Sequence, residues 1–309
     1  MPLDETAQGV FAIAATPFHP DGRLDLESVD RLTDFYRGAG VSGLTILGIM
    51  GEAPKLEMEE SLAVTRRVVA RAGVLPVVVG VSAPGFAAMR SLARRAMELG
   101  AAGVMIAPPP SLRTDDQIVG YYAQAVEAIG EDVPFVLQDY PLTLGVVMAP
   151  AVIRRIIQDH PSCVMLKHED WPGLEKISAL RGFEADGSLR RVAILTGNGA
   201  LFLDFELERG ADGAMTGYAF PDMLVDVVRH ARAGARDAAH DLFDAHLPLI
   251  RYEQQPGVGL AVRKHLLCRR GAIACDAQRK PAVALTAAAR AEIDYLLARL
   301  ARHDPRAAL

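Results

Sequence analysis

Val164-Met165-Leu166-Lys167 sets a lysine at the end of a short apolar run. An amine held at the mouth of a buried strand loses solvation, which disfavours its charged form, lowers its pKa and makes it a nucleophile toward a ketone. That is Schiff-base chemistry. The plainer reading is a strand-end lysine that reaches water, and the elements around the run decide between the two.

Those elements alternate. Val10 to Thr16 reads as a strand stopped by Pro17, and the Asp21-Gly22 turn leads to a helix carrying Leu26, Val29, Leu32 and Phe35 on one face. Strands follow at Gly43 to Leu47, Pro76 to Val79, Gly103 to Ala107, Phe135 to Leu137, Cys163 to Leu166, Val192 to Leu195 and Gly213 to Met215. Between and after them, helices are expected over Met58–Ala70, Gly85–Glu98, Asp115–Ile129 and Ala151–Gln158, after Pro172, and over Ala200–Glu208 and Pro221–Arg232. Eight parallel strands joined by right-handed helical crossovers close into a (β/α)8 TIM barrel of the α/β class, here residues 1–233. From 234 to 309 the pattern turns to helices only, near Asp237–Tyr252, Val258–Cys268 and Thr286–Arg302. Without a linker before them, these are expected to pack on the barrel as a C-terminal helical appendage.

Composition narrows the function. Half of the 309 residues are hydrophobic and the net charge is -5. With no basic stripe, nucleic acid is not the expected partner. No run is long enough for a membrane span, and the first residues lack an export signal, so a cytoplasmic location is expected. Cys163, Cys268 and Cys275 fit no zinc spacing.

In such a barrel the active site is built at the C-terminal ends of the strands. Those ends carry Thr16-Pro17, Gly48-Ile49-Met50-Gly51-Glu52, Ala107-Pro108-Pro109-Pro110, Gln138-Asp139-Tyr140-Pro141, Lys167-His168-Glu169, Thr196-Gly197-Asn198-Gly199 and Thr216-Gly217-Tyr218. Lys167 is the single lysine among them. Lys55, Lys176, Lys264 and Lys280 fall in loop or helical contexts where solvation is expected.

Taken together, Ala15-Thr16-Pro17-Phe18, Gly48-x-x-Gly51-Glu52, Pro141 with Gly145, Lys167 and Gly213-Ala214-Met215-Thr216-Gly217 resemble the dihydrodipicolinate synthase and N-acetylneuraminate lyase family of Schiff-base barrels. The resemblance implies a class I lyase acting on a small 2-oxo acid, with Lys167 as the imine-forming residue and no cofactor beyond that covalent imine. It also implies a homo-oligomer, commonly a tetramer. Departures from the family pattern bear on substrate. Ile49 and Met50 replace two threonines, Gln138 replaces a tyrosine with Tyr140 two places on, Pro109-Pro110 replaces an aromatic pair, and Thr143 stands where an arginine would hold a second substrate's carboxylate. Proline and isoleucine side chains cannot relay protons, so dihydrodipicolinate synthase activity is not expected. Gln138-Asp139 before Pro141, Gly213 to Gly217 before Phe220-Pro221-Asp222, and Leu247-Pro248-Leu249-Ile250 before Glu253 look more like the branch containing L-2-keto-3-deoxyarabonate dehydratases.

The chemistry then reads as follows. Lys167 attacks C2 of the 2-oxo acid, the protonated imine acidifies C3, and the enamine either expels a C4 hydroxyl or follows retro-aldol cleavage. Backbone N–H groups of Ile49, Met50 and Gly51 form a nest for the substrate carboxylate, a plain tight turn being the alternative. Gln138 orients a hydroxyl or water, or caps its strand; Tyr140 lines the pocket or serves as proton carrier. Thr196, Gly197, Asn198 and Thr216 are placed on the substrate's distal hydroxyls. Glu52 and Asp139 read either as site acids or, more simply, as acceptors that hold loops. His168-Glu169-Asp170 is not expected to bind a metal, because three adjacent residues in a turn diverge, and Asp170 ahead of Pro172 starts a helix. Dehydration of a 2-keto-3-deoxy sugar acid leads; a pyruvate-dependent aldolase and a non-catalytic 2-oxo-acid sensor are the alternatives.

Overall fold

A computed structural model describes residues 2–171 and 173–309. Eight parallel strands pair in chain order and close: β1 Gly9–Ile13, β2 Gly43–Ile46, β3 Val77–Gly80, β4 Gly103–Ile106, β5 Phe135–Asp139, β6 Cys163–His168, β7 Ala193–Thr196 and β8 Gly213–Thr216. The crossovers are α1 Leu26–Gly38, α2 Met58–Ala72, α3 Phe86–Glu98, α4 Asp115–Ile129, the short α5 Pro141–Leu144, α6 Pro150–Asp159, α7 Leu174–Ala185, α8 Leu203–Glu208 and α9 Pro221–Arg232. Strand ends differ from the sequence expectation by a few residues. The consequential cases are β5 and β6, each two residues longer than read, so that Gln138, Asp139, Lys167 and His168 are ladder residues rather than loop residues.

Both faces of the strands are buried, as a parallel sheet wrapped in helices requires. Val10, Ala12, Leu44, Ile46, Val79, Ile106, Leu137, Leu166, Ile194 and Ala214 belong to the core between barrel and helices. Phe11, Ile13, Val78, Met105, Val136, Met165, Leu195 and Met215 fill the barrel interior. One irregularity interrupts the alternation. The β5–β6 register runs Phe135 to Cys163 and then Val136 to Met165, leaving Val164 as an extra residue, and Val164 and Met165 both belong to the interior cluster. A bulge of one residue moves every following side chain to the opposite face. Lys167 thereby faces inward, opposite Gln138.

The remaining helices, α10 Arg236–Glu253, α11 Gly259–Arg269 and α12 Ala287–Leu300, pack beside α9 and beside one another. Their anchors are polar. Tyr218 Oη lies 2.9 Å from His246 Nδ1, whose Nε2 lies 2.8 Å from Asp304, and all three are buried. Arg263 Nε donates to Glu253 at 2.5 Å, and the other Glu253 oxygen accepts the Ala219 amide. Lys264, expected in a solvated setting, is fully buried. Its ammonium donates to Glu52 at 2.5 Å and to the carbonyls of Thr16 and Ala277. Lys176 is also buried, against Asp139 and Asp170. Both lysines correct the sequence expectation for one reason: α7 and α11 are packed on the barrel, and their polar positions are satisfied by buried carboxylates. Among the described residues, no helix is long and apolar enough to cross a membrane.

Candidate active site

Lys167 is 5 % exposed and points into the barrel mouth. Its Nζ lies 3.0 Å from a carboxylate oxygen of Glu169. The two residues share a face because they are two apart on an extended chain, and that chain remains extended to Glu169: its amide donates to the Asp139 carbonyl, and the Gly197 amide to the His168 carbonyl. The same Glu169 oxygen accepts Gln138 Nε2 at 2.7 Å, and the other accepts the Asn198 amide at 3.2 Å. The carboxylate is seated where β7 has no side chain, since a Cβ on Gly197 would lie 2.4 Å from Glu169 Cγ.

Glu169 is the candidate-site residue that the sequence reading did not single out. Ending β6 at Leu166 puts 167 to 169 in a turn where side chains diverge; one more pair of ladder residues aligns them. The signal was the i, i+2 spacing of a lysine and a glutamate. The arrangement joins an amine, a carboxylate able to take its proton and an amide that fixes the carboxylate's orientation. These are the parts of imine formation followed by proton transfer at the adjacent carbon.

Of the other expected residues, Tyr140 follows β5 half-buried; burial raises its phenol, the Thr143 hydroxyl opposes, Glu169 adds and Arg263 opposes. The phenol keeps its proton at neutral pH. In the β2 loop the Gly51 amide is spent on the Gly48 carbonyl, and the Gly51 carbonyl accepts Thr16 Oγ1. Among the described residues the amides of Ile49 and Met50 have no backbone partner outside their own turn. A cavity of about 490 Å³ opens there, lined by Ile49, Pro84, Met105, Pro109, Leu144 and Gln138. Ser82, a hydroxyl on that wall, accepts the Ala107 amide.

Several placements are corrected. Thr196 and Thr216 have the parity of Ile194 and Ala214, so they face the helix layer rather than the mouth. Thr196 donates to the Gly213 carbonyl. Gly197 and Asn198 do reach the site, but as supports of Glu169; the Asn198 side-chain oxygen accepts Gln254 Nε2 at 3.0 Å. Asp139 has the outward parity of Leu137 and meets Lys176 at 2.8 Å. Glu52 holds its loop, bound by Lys264, by Lys55 at 2.8 Å and by the Arg279 amide. Asp170 starts no helix: α7 begins at Leu174 after Gly173, and Asp170 accepts the Trp171 amide. Pro172 lies outside the described residues. Among the described residues, no three His, Cys, Asp or Glu side chains are grouped to hold a metal ion.

A closed (β/α)8 barrel with an inward lysine beside a buried carboxylate defines a lysine-dependent lyase scaffold. The chain belongs to the dihydrodipicolinate synthetase family, whose model matches residues 6–300, and it is an enzyme of the lyase class. It is 34 % identical over 309 residues to L-2-keto-3-deoxyarabonate dehydratase of Azospirillum brasilense, spanning 96 % of this chain and 95 % of the relative. Identity to 4-hydroxy-tetrahydrodipicolinate synthase of Methylococcus capsulatus is 31 % over 257 residues, 78 % of this chain and 85 % of that one. The crystal structure of dihydrodipicolinate synthase from Rhodopseudomonas palustris superposes with a TM-score of 0.96 at 68 % identity, covering 97 % of this chain and 99 % of that one.

Proposed function

We propose that this enzyme removes water from a 4-hydroxy-2-oxo acid, a 2-keto-3-deoxy sugar acid, through an imine on Lys167. The observation that carries this reading is the contact of Glu169 with both Lys167 and Gln138. The likeness to a dehydratase along nearly the whole chain supports it.

Glu169 takes a proton from the Lys167 ammonium, and the free amine adds to C2. The carbinolamine hydroxyl takes that proton back from Glu169 and leaves as water, and the protonated imine draws electrons from the C3–H bond. Glu169 accepts the C3 proton to give the enamine. The enamine returns its electron pair, the C4–O bond breaks, and the hydroxyl leaves as water with the proton Glu169 now holds. Gln138 keeps the carboxylate aimed at C3 and C4 throughout. Hydrolysis then releases the product and the amine. Ile49 and Met50 amides take the C1 carboxylate. The tetramer implied by the family resemblance is the proposed assembly, measurable by sedimentation velocity.

A panel of 2-keto-3-deoxy acids, with pyruvate read by a coupled assay, tests the reaction. Water loss without pyruvate is the expected result. Stoichiometric pyruvate would make the enzyme an aldolase with Tyr140 as proton carrier. Condensation of pyruvate with aspartate semialdehyde within tenfold of the best acid, about 1.4 kcal/mol in barrier, would make it a synthase despite the proline and isoleucine substitutions.

A further inference from the structure

β7 and β8 are each followed by an inward glycine, and at each the missing side chain is replaced by a charged group delivered from elsewhere. At Gly197 it is Glu169. At Gly217 it is Arg263 of α11, whose Nη1 lies 2.1 Å from where a Cβ on Gly217 would stand. Gly217 follows Met215, an interior residue, by two positions, so its absent side chain would point into the mouth. The guanidinium therefore enters the barrel through the gap that the glycine leaves.

The two charges differ in how they are satisfied. Both Glu169 oxygens have partners. Arg263 is 2 % exposed and its Nε is held by Glu253, yet its Nη1 is buried without any hydrogen bond among the described residues. An unpartnered buried donor is costly and calls for an acceptor. Glu253, itself fixed by the Ala219 amide, prevents the guanidinium from turning away to find one.

Height in the mouth identifies the acceptor. Lys167 pairs with Leu195, and Leu195 with Gly213. Allowing the barrel's stagger of about one residue per strand step, Gly217 lies roughly two residues, about 7 Å along the strand, nearer the rim than Lys167. The C1 carboxylate and C2 belong beside the amine. The group that reaches Gly217 is the far end of the substrate.

We infer that Arg263, admitted by Gly217, recognises an oxygen acceptor on the substrate beyond C4, and so restricts this enzyme to 2-oxo acids with an oxygenated tail. This rests on the proposed imine chemistry and specifies its substrate. The acceptor is a terminal hydroxyl of a sugar acid or a second carboxylate of a dicarboxylic analogue; both present oxygen to one N–H donor.

The test uses two variants. Gly217→Ala places a methyl on Nη1 and expels the guanidinium while leaving the Glu253 pair its cation. Arg263→Lys keeps a cation for Glu253 but loses the reach. Borohydride trapping of pyruvate at Lys167 is measured with L-2-keto-3-deoxyarabonate, or a 4-hydroxy-2-oxo dicarboxylate, as competitor. Competition needs no turnover, so a failure of the dehydratase reading leaves this readout intact. Both variants should weaken at least one competitor tenfold or more relative to pyruvate, and the competitor that loses more names the acceptor. Competition within twofold of the wild type for both acids would overturn the inference. So would an equal fall for pyruvate and the long acids, which would place Arg263 on the C1 carboxylate or in the fold alone.

Discussion

The ammonium of Lys167 and the carboxylate of Glu169 stand 3.0 Å apart at the barrel mouth, both buried and both on β6 or its direct extension. A proton can pass between them without water, which puts the proposed nucleophile and base in one rigid element.

Incubation with pyruvate and borohydride should add mass irreversibly at Lys167, and Lys167→Ala should abolish it. Peptide mass mapping checks the site. Labelling of Lys176 or Lys264 instead would refute the assignment, and both are tied to carboxylates that oppose it.

Glu169→Gln retains shape and the contact to Gln138 but cannot carry the C3 proton. Turnover of the best acid should fall by about 10²- to 10⁴-fold, the range for a general acid or base. Steady-state rates, with circular dichroism as a folding control, decide it; a loss of less than fivefold would move the proton carrier elsewhere.

Gln138→Ala frees the Glu169 carboxylate from its orienting amide, and should lower kcat while pyruvate trapping persists, because pyruvate has no C4. Tyr140→Phe should cost less than the general-acid range in a dehydratase. Should it remove activity by that full factor with pyruvate as the product, the phenol is the carrier and the enzyme cleaves carbon–carbon bonds.

Glu206, buried behind β7, has its carboxyl raised to about 7 by desolvation, with the Thr196 side chain opposing. Its ordinary value is 4.5. The folded state thus binds the proton more tightly than the unfolded chain, so this contribution to stability is full below about 4.5 and lost as pH rises through about 7. Glu206→Gln should raise Tm at pH 8 and change it little at pH 4.5, as thermal unfolding across that range will show.

Lys264→Met removes one of the two ammonium groups on buried Glu52 and should cost about 3–5 kcal/mol, the range for breaking a buried pair from one side. Chemical denaturation measures it. Because Glu52 closes the Gly48 to Gly51 turn, the variant should also bind pyruvate more weakly; full stability would show that Lys55 alone holds the carboxylate.

The sequence alone determined the barrel, since apolar runs alternating with helical patterns eight times over leave few other ways to bury both faces of the strands. It also singled out Lys167 by type and place. Side-chain direction was another matter. Counted by alternation from Cys163, Lys167 would face the helices; the extra residue at Val164 turns it inward and sets it opposite Gln138. Only the closed register decides that, because a bulge depends on the neighbouring strand rather than on the residues that form it. The same holds for Glu169, whose role required β6 to stay paired past Leu166, and for Thr196 and Thr216, which parity sends outward. Arg263 was invisible for a simpler reason. It is separated from Gly217 by two helices of chain, and only the packing of α11 on the barrel brings its guanidinium through the gap.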